Sequence, residues 1–192
     1  MKFGTVLCSA LLVTVIAGTL TGCGKPALDK ERVAVDESRG ILFSENKQLL
    51  EHYNQKLDEK EYSAPSGVTA VGPRAFEKCS RLTNVTLPGG VTDIGERAFL
   101  SCTRLTTIAF PDSLKTIGDY AFENCRDLSI VTIPAGVTAI GKGVFKDCKK
   151  LTSVSIPAGV QTVGYQAFDN CESLTSVVLP AKAKVIDSQP RD

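Results

Sequence analysis

The feature that most constrains this chain is a period of 23 residues that runs without insertion from Val68 to Lys182. Leucine recurs at 82, 105, 128, 151 and 174. Three residues later come Val85, Ile108, Val131, Val154 and Val177, and two further on Leu87, Phe110, Ile133, Ile156 and Leu179. Proline follows at 88, 111, 134, 157 and 180, with Pro65 one period earlier. A second apolar pair (Val91 and Ile94, Leu114 and Ile117, Val137 and Ile140, Val160 and Val163) leads to Gly95, Gly118, Gly141 and Gly164. Each unit closes with Ala-Phe or Val-Phe and then a cysteine, at 79, 102, 125, 148 and 171. A unit this short has no interior of its own, so neighbouring units must stack and share one core.

The pattern L-x-x-V-x-I-P reads as the strand of a leucine-rich repeat, whose units are roughly 20–29 residues long. Leucine, valine and isoleucine face the core, and the positions between them face outward on the concave side. These outward residues are Asn84 and Thr86, Thr107 and Ala109, Ile130 and Thr132, Ser153 and Ser155, and Ser176 and Val178. Proline lacks the N–H of a strand ladder, so its column marks where parallel pairing stops. The Ile-Gly step is expected to turn the backbone, and the Ala-Phe pair to fill the convex side. The expected fold is an α/β-type solenoid of short parallel strands with an irregular or 3₁₀ convex side.

The full column set, L-x-x-V-x-I-P-x-G-V-x-x-I-G-x-x-A-F-x-x-C, closely resembles the BspA-like leucine-rich repeat of bacterial surface proteins. The resemblance covers Tyr62 to Ile186 as five full units with partial ends, and leaves 187–192 as a tail. It also implies an N-terminal cap over residues 33–61, a strand and β-hairpin with a turn at Ser44-Glu45-Asn46-Lys47. Local pattern alone points elsewhere: Ser44 as an N-cap with Leu49, Leu50, Tyr53 and Leu57 on one face reads as an amphipathic helix.

Five evenly spaced thiols raise the question of chemistry. Zinc needs paired or converging Cys and His ligands, and one thiol per unit converges nowhere. Adjacent units bring Cα atoms to about 5 Å, within disulfide range, but stacked residues hold Cα–Cβ vectors nearly parallel, against the roughly 90° torsion a disulfide requires. Five is also odd. Reduced cysteine packs as a small buried hydrophobe, so Cys79, Cys102, Cys125, Cys148 and Cys171 are expected to form a structural ladder in the core.

Ahead of the repeats, Met1-Lys2 and the apolar run Phe3 to Ala17 read as a signal peptide over residues 1–22. That run is short of the roughly 20 residues a membrane span needs. It ends in Leu20-Thr21-Gly22-Cys23, which resembles the bacterial lipobox, and the resemblance implies a diacylglycerol on the Cys23 thiol. Residues 23–32 would then be a polar tether, and the covalent lipid would stand where a cofactor might otherwise be sought. No cofactor and no metal are expected.

A net charge of +1 gives no electrostatic case for nucleic acid. The single histidine, His52, has no partner motif, and no serine lies in a G-x-S-x-G context, so an enzyme is not expected. Function falls instead to surfaces. The repeats with a lipobox resemble treponemal leucine-rich-repeat lipoproteins, which implies a surface-displayed outer-membrane lipoprotein with a protein ligand. Adhesins among BspA-like relatives extend the implied partners to host extracellular matrix such as fibronectin. The alternative is a periplasm-facing structural lipoprotein that binds envelope proteins or forms weak homo-oligomers through its last unit.

Overall fold

The computed structural model describes residues 32–36 (backbone only), 39–44 and 46–186. The signal segment, Cys23, the tether up to residue 31 and the tail at 187–192 lie outside the described residues.

The chain enters through three strands, β1 (Arg32–Asp36), β2 (Ile41–Ser44) and β3 (Leu49–His52). Both pairings are antiparallel. The amphipathic helix does not form. Ser44 caps a hairpin turn instead: its carbonyl accepts the Lys47 N–H at 2.8 Å and its Oγ accepts the Leu49 N–H at 3.0 Å. The tertiary reason lies one strand further on, because β3 pairs in parallel with the first unit. Those bonds, with burial of Leu50 and Tyr53, outweigh a marginal local helix.

Each unit then contributes two short strands. They are β4 (Glu61–Ser63) and β5 (Ala70–Val71), β6 (Asn84–Thr86) and β7 (Asp93–Ile94), β8 (Thr107–Ala109) and β9 (Thr116–Ile117), β10 (Ile130–Thr132) and β11 (Ala139–Ile140), β12 (Ser153–Ser155) and β13 (Thr162–Val163), and finally β14 (Lys184–Val185). All pairings between units are parallel, and Asn84↔Thr107 and Asp93↔Thr116 keep the 23-residue step. One face carries β4-β6-β8 and β10-β12; the other carries β1-β2-β3-β5-β7-β9 and β11-β13-β14. The cap therefore extends the second face, not the one formed by the L-x-x-V-x-I strands.

Prolines do more than end strands. Each carbonyl of the column accepts the N–H three residues on, as in Pro88 to Val91 at 3.1 Å and Pro111 to Leu114 at 3.0 Å. This turn delivers the next apolar residue to the core, where Val91, Leu114 and Val137 are fully buried.

The glycine column has a different cause from the expected turn. Gly95, Gly118 and Gly164 do not adopt positive φ. A Cβ on Gly118 would lie 2.6 Å from the Glu96 nitrogen and 2.7 Å from the Gly95 carbonyl carbon of the preceding unit. The column marks close backbone approach. Gly118→Ala should therefore destabilise the domain by about 3 kcal/mol or more, since neither clashing atom belongs to a movable side chain. A urea midpoint within error of the parent would refute this.

On the convex side, among the described residues, no helix forms. Alternate N–H groups bond to the following unit instead: Arg97 to Asp119, Phe99 to Ala121 and Ser101 to Glu123, at 2.7–2.9 Å. This needs left-handed backbone at two points per unit, filled by Arg74, Arg97, Tyr120, Gly143 and Gln166, and by Lys78, Ser101, Asn124, Asp147 and Asn170. Only Asn, Asp and Gly in these sets are comfortable there. The inter-unit bonds hold the rest in place.

The last unit departs from the expected strand over Leu174 to Leu179, which carries no strand. Leu174, Val177 and Leu179 are only partly buried, having core on one side alone. The closing pair is also one residue short: Thr162↔Lys184 is a step of 22. Ile186 thereby donates to the Val163 carbonyl at 2.9 Å, as Gly164 donates to Ile140 at 2.7 Å.

Candidate functional site

The core behind any surface is a stack of rings. Phe76, Phe99, Phe122, Phe145 and Phe168 follow one another with centroids 4.7, 5.0, 5.6 and 5.8 Å apart and planes within 14°. Tyr53 extends the stack below Phe76 at 5.2 Å. The signal was present in the sequence, since Tyr53 lies one period before Phe76. Its hydroxyl donates to Glu59 Oε2 at 3.0 Å, and Glu59 also pairs with Arg39. Burial first, then the Glu59 hydrogen bond, pushes the Tyr53 phenol above its ordinary range.

The five repeat cysteines are free thiols, four of them buried and Cys171 half-buried. Their role differs from plain packing. Each Sγ donates to the carbonyl of the aromatic residue in the preceding unit: Cys102 to Phe76 at 3.0 Å, Cys125 to Phe99 at 3.2 Å, Cys148 to Phe122 at 3.2 Å and Cys171 to Phe145 at 3.1 Å. Cys79 makes a longer contact to Tyr53 at 3.9 Å. The same Phe carbonyls accept the N–H of their own unit's cysteine, as Phe76 does from Cys79 at 3.1 Å. The thiol thus supplies the second donor to a buried carbonyl with two lone pairs. Burial raises Cys102, Cys125 and Cys148 well above the ordinary thiol range. Burial also pushes half-buried Cys171 up to about 11. Thiols held in this form are poor nucleophiles and poor metal ligands. Among the described residues no three His, Cys, Asp or Glu side chains converge on a metal site, and His52 is exposed on β3.

The outward residues of the strand face fall on neighbouring strands. Thr107 and Ala109 sit beside Asn84 and Thr86, and Ser153 and Ser155 beside Ile130 and Thr132. All are exposed except the half-buried Asn84. Ser176 and Val178 are exposed but lie on no strand. The face parts between β8 and β10, where the link is the Ser129 N–H to the Thr106 carbonyl at 3.3 Å. Beside the strands, Thr83, Thr106, Ser129 and Thr152 donate their hydroxyls to the preceding unit's carbonyls at 3.0–3.3 Å. That hydroxyl column is committed to the fold. Ile130, 59% exposed, is the large apolar side chain in the middle of the face.

Sequence reasoning passed over a second surface, a cleft of about 480 Å³ lined by Asp58, Lys60, Ser80, Arg81, Thr103 and Arg104. These positions have no repeated identity that holds through all units, so the column pattern did not mark them.

A family model described as the BspA type leucine rich repeat region matches residues 60–190 in six copies. The chain belongs to the BspA-type leucine-rich-repeat family. A leucine-rich cell surface protein from Faecalibacterium prausnitzii is 28% identical with a TM-score of 0.70, over 83% of this chain and 41% of that one. A leucine-rich repeat protein from Eubacterium ventriosum is 28% identical with a TM-score of 0.62, over 82% and 48%. The T. pallidum leucine rich repeat protein is 28% identical with a TM-score of 0.57, over 69% and 75%. The BspA-type chain thus spans less than half the length of the first two. No curated protein matches it. Among the described residues no helix is long and apolar enough to cross a membrane.

Proposed function

We propose that this BspA-type chain is a lipid-anchored protein of the bacterial cell envelope, displayed at the outer-membrane surface. In this reading its strand face binds another protein, with host extracellular-matrix proteins such as fibronectin as the partner class. Leucine-rich-repeat domains generally serve as protein-binding scaffolds, because stacked units present a broad rigid surface. The surface assignment draws on the relative named as a cell surface protein and on the lipobox at Cys23, whose lipid would tether the domain. No catalytic role is assigned.

The observation that carries the reading is Ile130. It stands on β10 beside Ser153, with exposed Thr132 two residues on and exposed Ala109 across the gap to β8, where a partner could bury it. Ile130→Asp should weaken binding about tenfold or more while leaving the melting temperature unchanged, since the side chain is outside the core. A solid-phase screen against matrix proteins identifies the ligand, and titration of the variant tests the face. Undiminished binding with an intact fold would remove this face from the mechanism.

The alternative, a periplasm-facing lipoprotein that self-associates, is favoured by Val178, Val185 and Ile186, which are 81%, 51% and 46% exposed. Protease treatment of intact cells separates the two: digestion supports surface display and full protection supports the periplasmic reading.

A further inference from the structure

We propose that the cleft beside the first units is a sulfate-binding site that seats a sulfated polysaccharide. It lies outside the strand face and does not depend on that face binding protein. Lys60, Arg81 and Arg104 line it together with Ser80 and Thr103. The repeat assembles these groups: Arg81 and Arg104 are one period apart, as are Ser80 and Thr103, so stacking sets each pair about 4.8 Å apart.

Charge in the cleft is unbalanced. Its one carboxylate, Asp58, pairs with Arg81, but the two side chains are 87% and 56% exposed, and so open a pair contributes little. An incoming anion can displace it. No ion pair to Arg104 forms among the described residues, and its side chain is exposed. Two guanidinium forks, one ammonium and two hydroxyls offer more donors than the two oxygens of a carboxylate can accept. A sulfate ester presents three acceptor oxygens in a tetrahedral array, one more than a carboxylate, and can accept from both arginines at once.

The cationic groups also continue along the stack, which favours a polymer over a single ion. In the next unit Arg126 is exposed and its Nε donates to the neutral Asn124 Oδ1 at 2.8 Å. The excess ends at that unit, because the residue one period on from Arg104 is Asp127, which pairs with Lys150, and Lys149 pairs with Glu172, both at 2.7 Å. The binding stretch therefore belongs to the first two units, with Arg126 at its edge.

The test uses the full chain in detergent, with heparin as the probe. Heparin should bind with an affinity that falls as salt rises. Arg81→Gln with Arg104→Gln should lower it about tenfold or more, and Arg104→Gln alone, which breaks no ion pair, about threefold or more. Lys115→Gln with Lys182→Gln removes the same charge at exposed sites elsewhere and should change affinity less than about twofold. Hyaluronan, which carries carboxylates alone, should not compete. Equal losses in the two double variants would reduce the effect to net charge and overturn the site. Competition by hyaluronan equal to heparin's, or displacement by polyphosphate at lower charge concentration, would overturn the sulfate assignment.

Discussion

Raising the pH from 8 to 10 should lower the stability of the solenoid by about 4 kcal/mol. Burial holds Cys102, Cys125 and Cys148 protonated in the fold, whereas an unfolded thiol ionises near its ordinary value of 9.0. The folded state therefore binds more protons than the unfolded state above that value. Stability is fully present below pH 9 and is lost as pH rises toward the folded values. Because the unfolded thiol ionises only from about pH 9 upward, each thiol loses a little over 1 kcal/mol across the whole rise, and three give the total. Cys171, more exposed, contributes less, and Tyr53 extends the loss at still higher pH because its phenol is also raised. Against a domain stability of about 5–15 kcal/mol, this is a large effect.

Urea titrations at a series of pH values measure it. Cys125→Ala supplies the control, since one ionisable group is gone and the pH slope should fall by about a third, whatever the variant's stability at neutral pH. A flat profile between pH 8 and 10, or an unchanged slope in the variant, would refute the buried-thiol account. Thiol-reactive dye at neutral pH gives a parallel readout: Cys171, half-buried, should react before the four buried cysteines.

Phe122→Ala should cost about 3–5 kcal/mol. Phe122 is fully buried, stacks on Phe99 at 5.0 Å and Phe145 at 5.6 Å, and meets the edge of Phe110 at 5.5 Å. Its removal opens a cavity in the middle of the stack, and flanking units cannot close it because their inter-unit backbone bonds fix the spacing. Phe168 has one stacked neighbour and is only partly buried, so Phe168→Ala should cost about half as much. Stability in a stacked array is carried by nearest-neighbour terms, and the central variant should also broaden the unfolding transition as the two ends separate. Equal losses at the two positions would show that the ring stack does not carry the coupling.

The repeat columns made the core legible. Leu105, Ile108, Leu114, Ile117, Phe122 and Cys125 were assigned inward from spacing alone, and all are buried. The outward positions were legible by the same alternation. What those positions bind was not, because Thr, Ser and Ala on a flat face specify no partner chemistry. The hairpin was legible only through family resemblance. Read locally, residues 44–62 suit a helix, and the deciding hydrogen bonds come from Ala70 and Val71, about twenty residues away.

By itself the sequence determined the period, the inward set and the stacking order, because a strict spacing of apolar residues has few ways to be buried. The tertiary structure alone decided why the glycines and cysteines recur. Gly118 is glycine because the backbone of the unit behind it leaves no room for a Cβ. The cysteine recurs because its S–H reaches a Phe carbonyl one unit away. Both causes are contacts between residues more than twenty apart, set by the spacing of stacked units, and no local pattern contains that distance.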